Sequence, residues 1–290
     1  MGTTKHAGKR TLDGLTYVLL LVCAGITLVP FFYLLCSAVK TREAFFTSHF
    51  LPVGNGFLGL DWRGLTLEHF HVLFTDASLG FARAIVNSVF YASVASVLST
   101  LCAAMGGYAL AKFVFRANRW LTVLVLTSLI IPGPLLLAPG YQLIYRLGLL
   151  DSFAGLILPG IAPAFGVFLF RQAMLHSVPV DLIEAARVDG CGEIRLFFTM
   201  ILPLVKPMVG AFLLITFMGA WNNFLQPQIV LQTPQKFPLA VAIAQLKGLY
   251  GTDYGLLMAG TLVSIVPIMG LFLLLQKDFV SGLTTGAVKG

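Results

Sequence analysis

Charge is scarce in this chain. Only 11% of its 290 residues are Asp, Glu, Lys or Arg, against about 25% in an ordinary soluble domain. With 58% hydrophobic residues and a mean hydropathy of +0.89, a water-soluble globule is excluded and a polytopic membrane protein is indicated. Cysteine is also scarce. Cys23, Cys36, Cys102 and Cys191 lack metal-ligand spacing, and three lie in apolar stretches, so they read as small packing residues. No G-x-x-x-x-G-K-S/T loop occurs, so P-loop binding of ATP by this chain is excluded. No Ser/His/Asp set, Cys/His pair or metal-binding cluster points to a membrane enzyme. The apolar runs contain no deep charge. Ion-driven carriers commonly place Asp, Glu or His inside the bilayer, although backbone carbonyls can also bind sodium.

What is present are six uncharged windows, 14–39, 84–111, 120–145, 152–170, 207–235 and 254–276. Each can supply the roughly 17–25 residues that a spanning helix needs. In the fifth, the span is expected at 207–225. Backbone groups in lipid must be paired internally, so the fold class expected is all-α, with six transmembrane helices. Lys5, Lys9 and Arg10 precede the first run, which is too long for a signal-peptide core, so a retained anchor is expected. The net charge of +7 fits cations flanking spans rather than nucleic-acid binding. With the N-terminus inside, segments 1–13, 112–119, 171–206 and 277–290 carry 12 Lys and Arg, against 7 on the other side. That bias favours an N-in, C-in topology. The domain map is then a cytoplasmic N-terminal segment 1–13, a six-helix transmembrane domain 14–276 with a cytoplasmic loop 171–206, and a cytoplasmic tail 277–290.

One stretch does not belong in lipid: SVPVDLIEAARVDGCGEIRLFFTMILPLVKP, residues 177–207. Ser177 is a candidate helix cap, Pro179 suits a first turn and Asp181 suits the N-terminal dipole. The helix should stop at Gly190, which can take a left-handed turn. A second short helix should then carry Ile194, Leu196 and Phe197 toward Pro203. A helix of about ten residues is marginal alone in water, so it needs a partner surface.

This stretch resembles the membrane subunits of bacterial ATP-binding-cassette importers. Their pattern is E-A-A, three residues, Gly, nine residues, Ile, one residue, Leu-Pro; here it reads Glu184-Ala185-Ala186, Gly190 and Leu202-Pro203, with Met200 in place of Ile. GYALAKF (107–113), FGVFLFRQ (165–172), GAWNNF (219–224) and the tail GLTTGAVKG (282–290) extend the likeness to the six-helix permease of maltose-type carbohydrate importers. The resemblance implies a homologous second permease, two ATPase subunits that bind Mg-ATP, an extracytoplasmic solute-binding protein and a carbohydrate substrate, at the bacterial cytoplasmic membrane. This chain would itself carry no cofactor and no enzymatic activity. It further implies that Glu184, Ala185, Ala186, Asp189, Gly190, Leu202 and Pro203 couple to the ATPase, together with Gly286, Lys289 and Gly290 of the tail. An ion-coupled carrier or channel, and a membrane scaffold that merely recruits a partner, are the competing classes.

Candidate translocation-path residues are Asn87, Tyr91, Trp221, Asn222 and Asn223. The amides beside an indole could bind a sugar, or anchor a helix at the headgroup level. Ser88, Ser93, Ser96 and Ser99 lie at spacings suited to helix packing. His69-x-His71 lacks further metal-ligand spacing. The segment 237–246 is apolar but too short to span, and is expected at the interface or over the pore mouth. Pro132, Pro134 and Pro139 in the third window, and Pro159 and Pro163 in the fourth, suit either ordinary bundle packing or bending between access states.

Overall fold

The computed structural model describes residues 3–247 and 252–287, with side chains described over 13–247 and 252–277. The described residues are helical, with isolated bridges but no β-strand. Among the described residues, three helices are long and apolar enough to cross a membrane: Asp13–Ala38, Phe81–Lys112 and Tyr254–Lys277. Three bent helix pairs bring the count to the six expected, if each pair is one span.

Prolines of the third and fourth windows do lie at breaks in the helices. The third window is broken into Asn118–Ser128 and Gly133–Arg146, which turn by 103°. Pro132 is extended there, and Pro134 lacks the N–H that a continuing helix would require. Pro139, by contrast, sits in the first turn of Leu137–Arg146, where no intrahelical N–H bond is lost. The fourth window bends by 44° between Phe153–Gly160 and Ala164–Ser177, at Pro163. Glu193–Leu204 meets Lys206–Trp221 at 86°. The fifth span therefore ends at Trp221, short of the expected residue 225.

The chain divides into two compact units: Met1–Leu79 with Gln245–Val263, and Gly80–Ala244 with Ser264–Gly290. In the first, the apolar side chains over residues 15–32 are exposed within the chain, as those of a lipid-facing helix are, and only its end, with Cys36 and Ala38, is buried. The loop that follows is built around Lys40, which is fully buried. Its ammonium donates to the carbonyls of Ser48 (2.8 Å) and His49 (3.2 Å) and lies over the Tyr33 and Phe45 rings. Burial pushes its pKa down from the ordinary lysine value. His69 bonds the Lys40 carbonyl through Nε2 at 2.9 Å, so it serves as a loop fastener, whereas His71 is exposed.

The second unit is organised around Phe81–Lys112. Its small residues Ala103, Ala104 and Gly107 let Ala164–Ser177 approach closely. A Cβ on Gly107 would lie 2.6 Å from Phe170 Cβ and 2.7 Å from the Arg171 backbone nitrogen. Phe170, Met174 and Phe212 fill the resulting core, with Ile183, Leu196 and Ile201 from the polar interruption. The serines serve packing. Ser96 and Ser99 donate back to carbonyls of their own helix, and Ser88 accepts the amide of Leu239 at 2.6 Å. The segment 237–246 does not simply lie on a surface. It forms the helix Leu239–Gln245, with Leu239 and Val241 buried.

Candidate functional site

The helix Val180–Val188 is built as the sequence suggests, except at its start. Ser177 is the last residue of Ala164–Ser177, so its hydroxyl is no cap; extended Pro179 opens the helix without a side-chain bond. Asp181 occupies the first turn. The other end closes with two bonds, Gly190 N–H to the Arg187 carbonyl (3.0 Å) and Cys191 N–H to the Ala186 carbonyl (2.9 Å). Gly190 sits at φ 76° between them. This double closure is the arrangement that a left-handed glycine makes possible at a helix end.

The helix has two faces. Ile183 and Ala186 are buried in the core of the second unit, and fully burying a side chain of the Ile class contributes about 1.5–3 kcal/mol. Glu184, Ala185, Asp189 and Gly190 are exposed. The motif is therefore split, because Ala186 faces the bundle and Ala185 faces away. Leu202 packs partly on the same core, and Pro203 is exposed.

Arg187 does not pair with Glu184. Its Nε donates to Glu193 Oε1 at 2.6 Å, and its guanidinium lies 5.5 Å from the centroid of the Phe113 ring. Glu193 Oε2 also accepts the Tyr108 hydroxyl at 3.1 Å. The second helix, Glu193–Leu196, is followed by a π-helical turn, Phe197–Ile201. Leu196 and Phe197 are buried, whereas Ile194 is 77% exposed and points away from the core. Tyr108, Lys112 and Glu193 carry contacts that sequence reasoning missed. Their one signal was the GYALAKF segment, which places Tyr108 and Lys112 four residues apart on one helix face.

The five candidate path residues separate. Trp221 is 4% exposed and stacks on Phe217, and its indole N–H donates to the Ser264 carbonyl at 3.2 Å. Neither sugar stacking nor a headgroup position fits that burial. Asn87 donates to the carbonyls of Gln235 (2.8 Å) and Phe237 (3.1 Å). Tyr91 is buried, and its hydroxyl accepts from Asn223 Nδ2 at 3.4 Å; Asn223 also bonds Gln226. Asn222 is exposed and bonds its own helix at the Met218 carbonyl. The structure thus joins Tyr91 to Asn223 and leaves the others apart. A cavity of about 520 Å³ lined by Gly133, Tyr141, Pro159 and Gln226 lies in the same unit.

Asp151 fastens the loop beyond. At φ 53° its carboxylate accepts from Lys236 Nζ (2.8 Å), Thr233 Oγ1 (2.6 Å) and the amides of Gln232 (2.9 Å) and Thr233 (3.0 Å). The Lys236 ammonium first, then these donors, hold its pKa well below the usual carboxylate range. Of the tail residues, Gly286 continues the helix Tyr254–Ala287, whereas Lys289 and Gly290 lie outside the described residues.

This all-helical arrangement is the fold of an ABC-importer membrane subunit. It superposes on a chain from the crystal structure of a bacterial ABC transporter involved in alginate import with a TM-score of 0.79, at 22% identity, covering 94% of this chain and 98% of that one. Residues 95–277 match the family described as binding-protein-dependent transport system inner membrane component, and the chain belongs to that family. It is thus a multi-pass membrane protein. It is 42% identical over 226 residues to the arabinooligosaccharides transport system permease protein AraQ of Halalkalibacterium halodurans, covering 78% of this chain and 80% of that protein. It is 32% identical over 289 residues to the diacetylchitobiose uptake system permease protein NgcG of Streptomyces coelicolor, covering 98% and 91%.

Proposed function

We propose that this chain is the permease subunit of an ATP-driven importer that carries an oligosaccharide inward across the bacterial cytoplasmic membrane. The carrying observation is the two-faced helix Val180–Val188, anchored inward by Ile183 and Ala186 while it presents Glu184, Ala185 and Asp189. Such a helix suits insertion into a groove of a second protein. Separate ATPase chains that bind Mg-ATP would supply that groove, since this chain carries no phosphate-binding loop. A homologous permease would complete the pathway, and an extracytoplasmic binding protein would deliver the sugar. The relatives named for oligosaccharides support the substrate class. The tail residues Gly286, Lys289 and Gly290 are assigned to the same ATPase contact.

Closure of the ATPase pair would push this helix, and the bundle would turn from inward-open to outward-open. The push acts only through contacts that differ between the two states. The orientation is N-in, C-in. Thiol labelling of single-cysteine variants should reach positions near Asp61 and Lys247 from outside, and positions near Arg116 and Cys191 from inside.

Reconstitution in liposomes with the companion permease, ATPase and binding protein tests the function. Oligosaccharide uptake that requires ATP supports it. Uptake driven by an ion gradient alone would replace it with a carrier, and absence of flux with a scaffold.

A further inference from the structure

The Val180–Val188 helix is tied twice to one end of Phe81–Lys112, and the two ties bracket it. Before the helix, Lys112 Nζ donates to the Val178 carbonyl at 2.6 Å. At its last turn, Arg187 holds Glu193, which in turn accepts the Tyr108 hydroxyl. Tyr108 and Lys112 are one turn apart on the same helix face, so both ties end on one rigid element. Tyr108 is itself 5% exposed, with its ring packed against Phe113 (5.3 Å) and Phe197 (5.7 Å).

We propose that Glu193, held between Arg187 and Tyr108, is a positioning residue that makes the exposed Val180–Val188 helix move as one body with Phe81–Lys112. The inference rests on the importer reading and adds to it the route by which a push on the helix reaches a span. Two charge-assisted bonds to one carboxylate resist shear better than apolar contact alone, because hydrogen bonds are directional and packing is not. The Phe113 ring beneath the guanidinium adds a cation–π contact that keeps Arg187 turned toward Glu193 and away from Glu184. Glu184 is thereby left on the exposed face for a groove on another chain.

The π-helical turn Phe197–Ile201 directly follows the Glu193–Leu196 helix. Such turns are weak points in a helix ladder. Without the carboxylate bridge, motion of the docked helix would be absorbed at this turn instead of being passed to Tyr108.

The experiment uses the assembled transporter in liposomes, comparing the parent with Tyr108→Phe, Glu193→Gln and the double variant. Three quantities are read: ATPase retained on purification, ATP hydrolysed, and oligosaccharide taken up per ATP. Tyr108→Phe removes one hydroxyl and keeps the packed ring. It should retain the ATPase at parental levels while uptake per ATP falls roughly 2- to 30-fold, the range expected for residues along a coupling route. The double variant should fall no further than Glu193→Gln alone, because both substitutions break the same bridge. Tyr108→Phe with parental uptake per ATP would overturn the proposal, and so would losses that multiply in the double variant. Those results would leave ATPase docking intact. Failure of the parent to retain an ATPase, or to import with ATP, would instead overturn the importer reading itself.

Discussion

Gly190 offers a sharp perturbation, because the structure separates its conformational role from its steric one. A Cβ placed there meets nothing within 4 Å, yet the residue sits at φ 76°. Within this chain, any effect of a side chain must therefore come from the backbone. A left-handed L-residue costs about 1–2 kcal/mol, which is roughly a 5- to 30-fold shift between the turned and unturned forms. Asn tolerates this region best after glycine, and a β-branched residue tolerates it least. The expected order of ATPase retention and ATP-driven uptake is thus parent, Gly190→Asn, Gly190→Ala and then Gly190→Val. Gly192 is the internal control. It too has open space around it, but its φ is −70°, which any residue can adopt. Gly192→Ala should behave as the parent. Equal loss for Gly190→Asn and Gly190→Val, or equal loss at Gly192, would refute the reasoning, since neither follows from a backbone penalty confined to residue 190.

Glu184→Lys should abolish ATPase co-purification while membrane levels stay parental; removing one partner of a docked charge pair costs roughly 2–5 kcal/mol, and normal retention would sink the docking assignment. Gly107→Val should act inside the bundle, because its Cβ would press on the Phe170 and Arg171 backbone. Overpacking of about 1–3 kcal/mol should appear as a lower melting temperature in detergent, and an unchanged one would contradict the close approach. Asp151→Asn should lower the melting temperature by a similar margin from pH 5 to pH 8. A carboxylate whose folded pKa is depressed contributes stability that is complete above its unfolded value, about 3.9. That contribution is lost only as pH falls through the still lower folded value. A deficit that vanished at pH 5 would count against the Lys236 pairing.

The apolar windows and the Glu184 stretch were legible because both rest on composition and local spacing. Transfer free energy summed over a window reports whether a segment suits lipid. It says nothing of backbone direction. That is why the prolines of the third and fourth windows were visible, but the 103° and 44° bends were not. Ser177 illustrates a second limit: a hydroxyl in capping position cannot cap when the preceding helix still includes it. The second short helix shows a third, because Glu193–Leu196 is four residues long and runs into a π-helical turn, where an α-helical period no longer holds. Trp221 misled because tryptophan is common at headgroup level, whereas here its N–H finds a backbone carbonyl 43 positions away. A contact at such separation leaves no spacing signature. The Tyr108–Glu193 bond, spanning 85 positions, is of the same kind.

The two alanines of the motif show how adjacent residues in one sequence pattern can serve different surfaces. Successive residues on a helix are rotated by about 100°, so neighbours seldom share a face. Ala186 falls on the same side as Ile183, three residues earlier, and both are buried in the bundle. A larger side chain there would have to displace other members of this packed core. Ala185 falls beside Glu184 on the open side, where no packing within this chain requires a small side chain, although alanine favours the helix itself. Small size becomes useful when another surface approaches, because a methyl group lets a groove wall come close to the helix backbone while Glu184 reaches past it. The inner alanine is therefore fixed by packing in this fold, whereas the outer one suits the helix by propensity and leaves room for the partner proposed above. That asymmetry is what the docking proposal for Val180–Val188 requires: one face held by the bundle and the other left open to a partner.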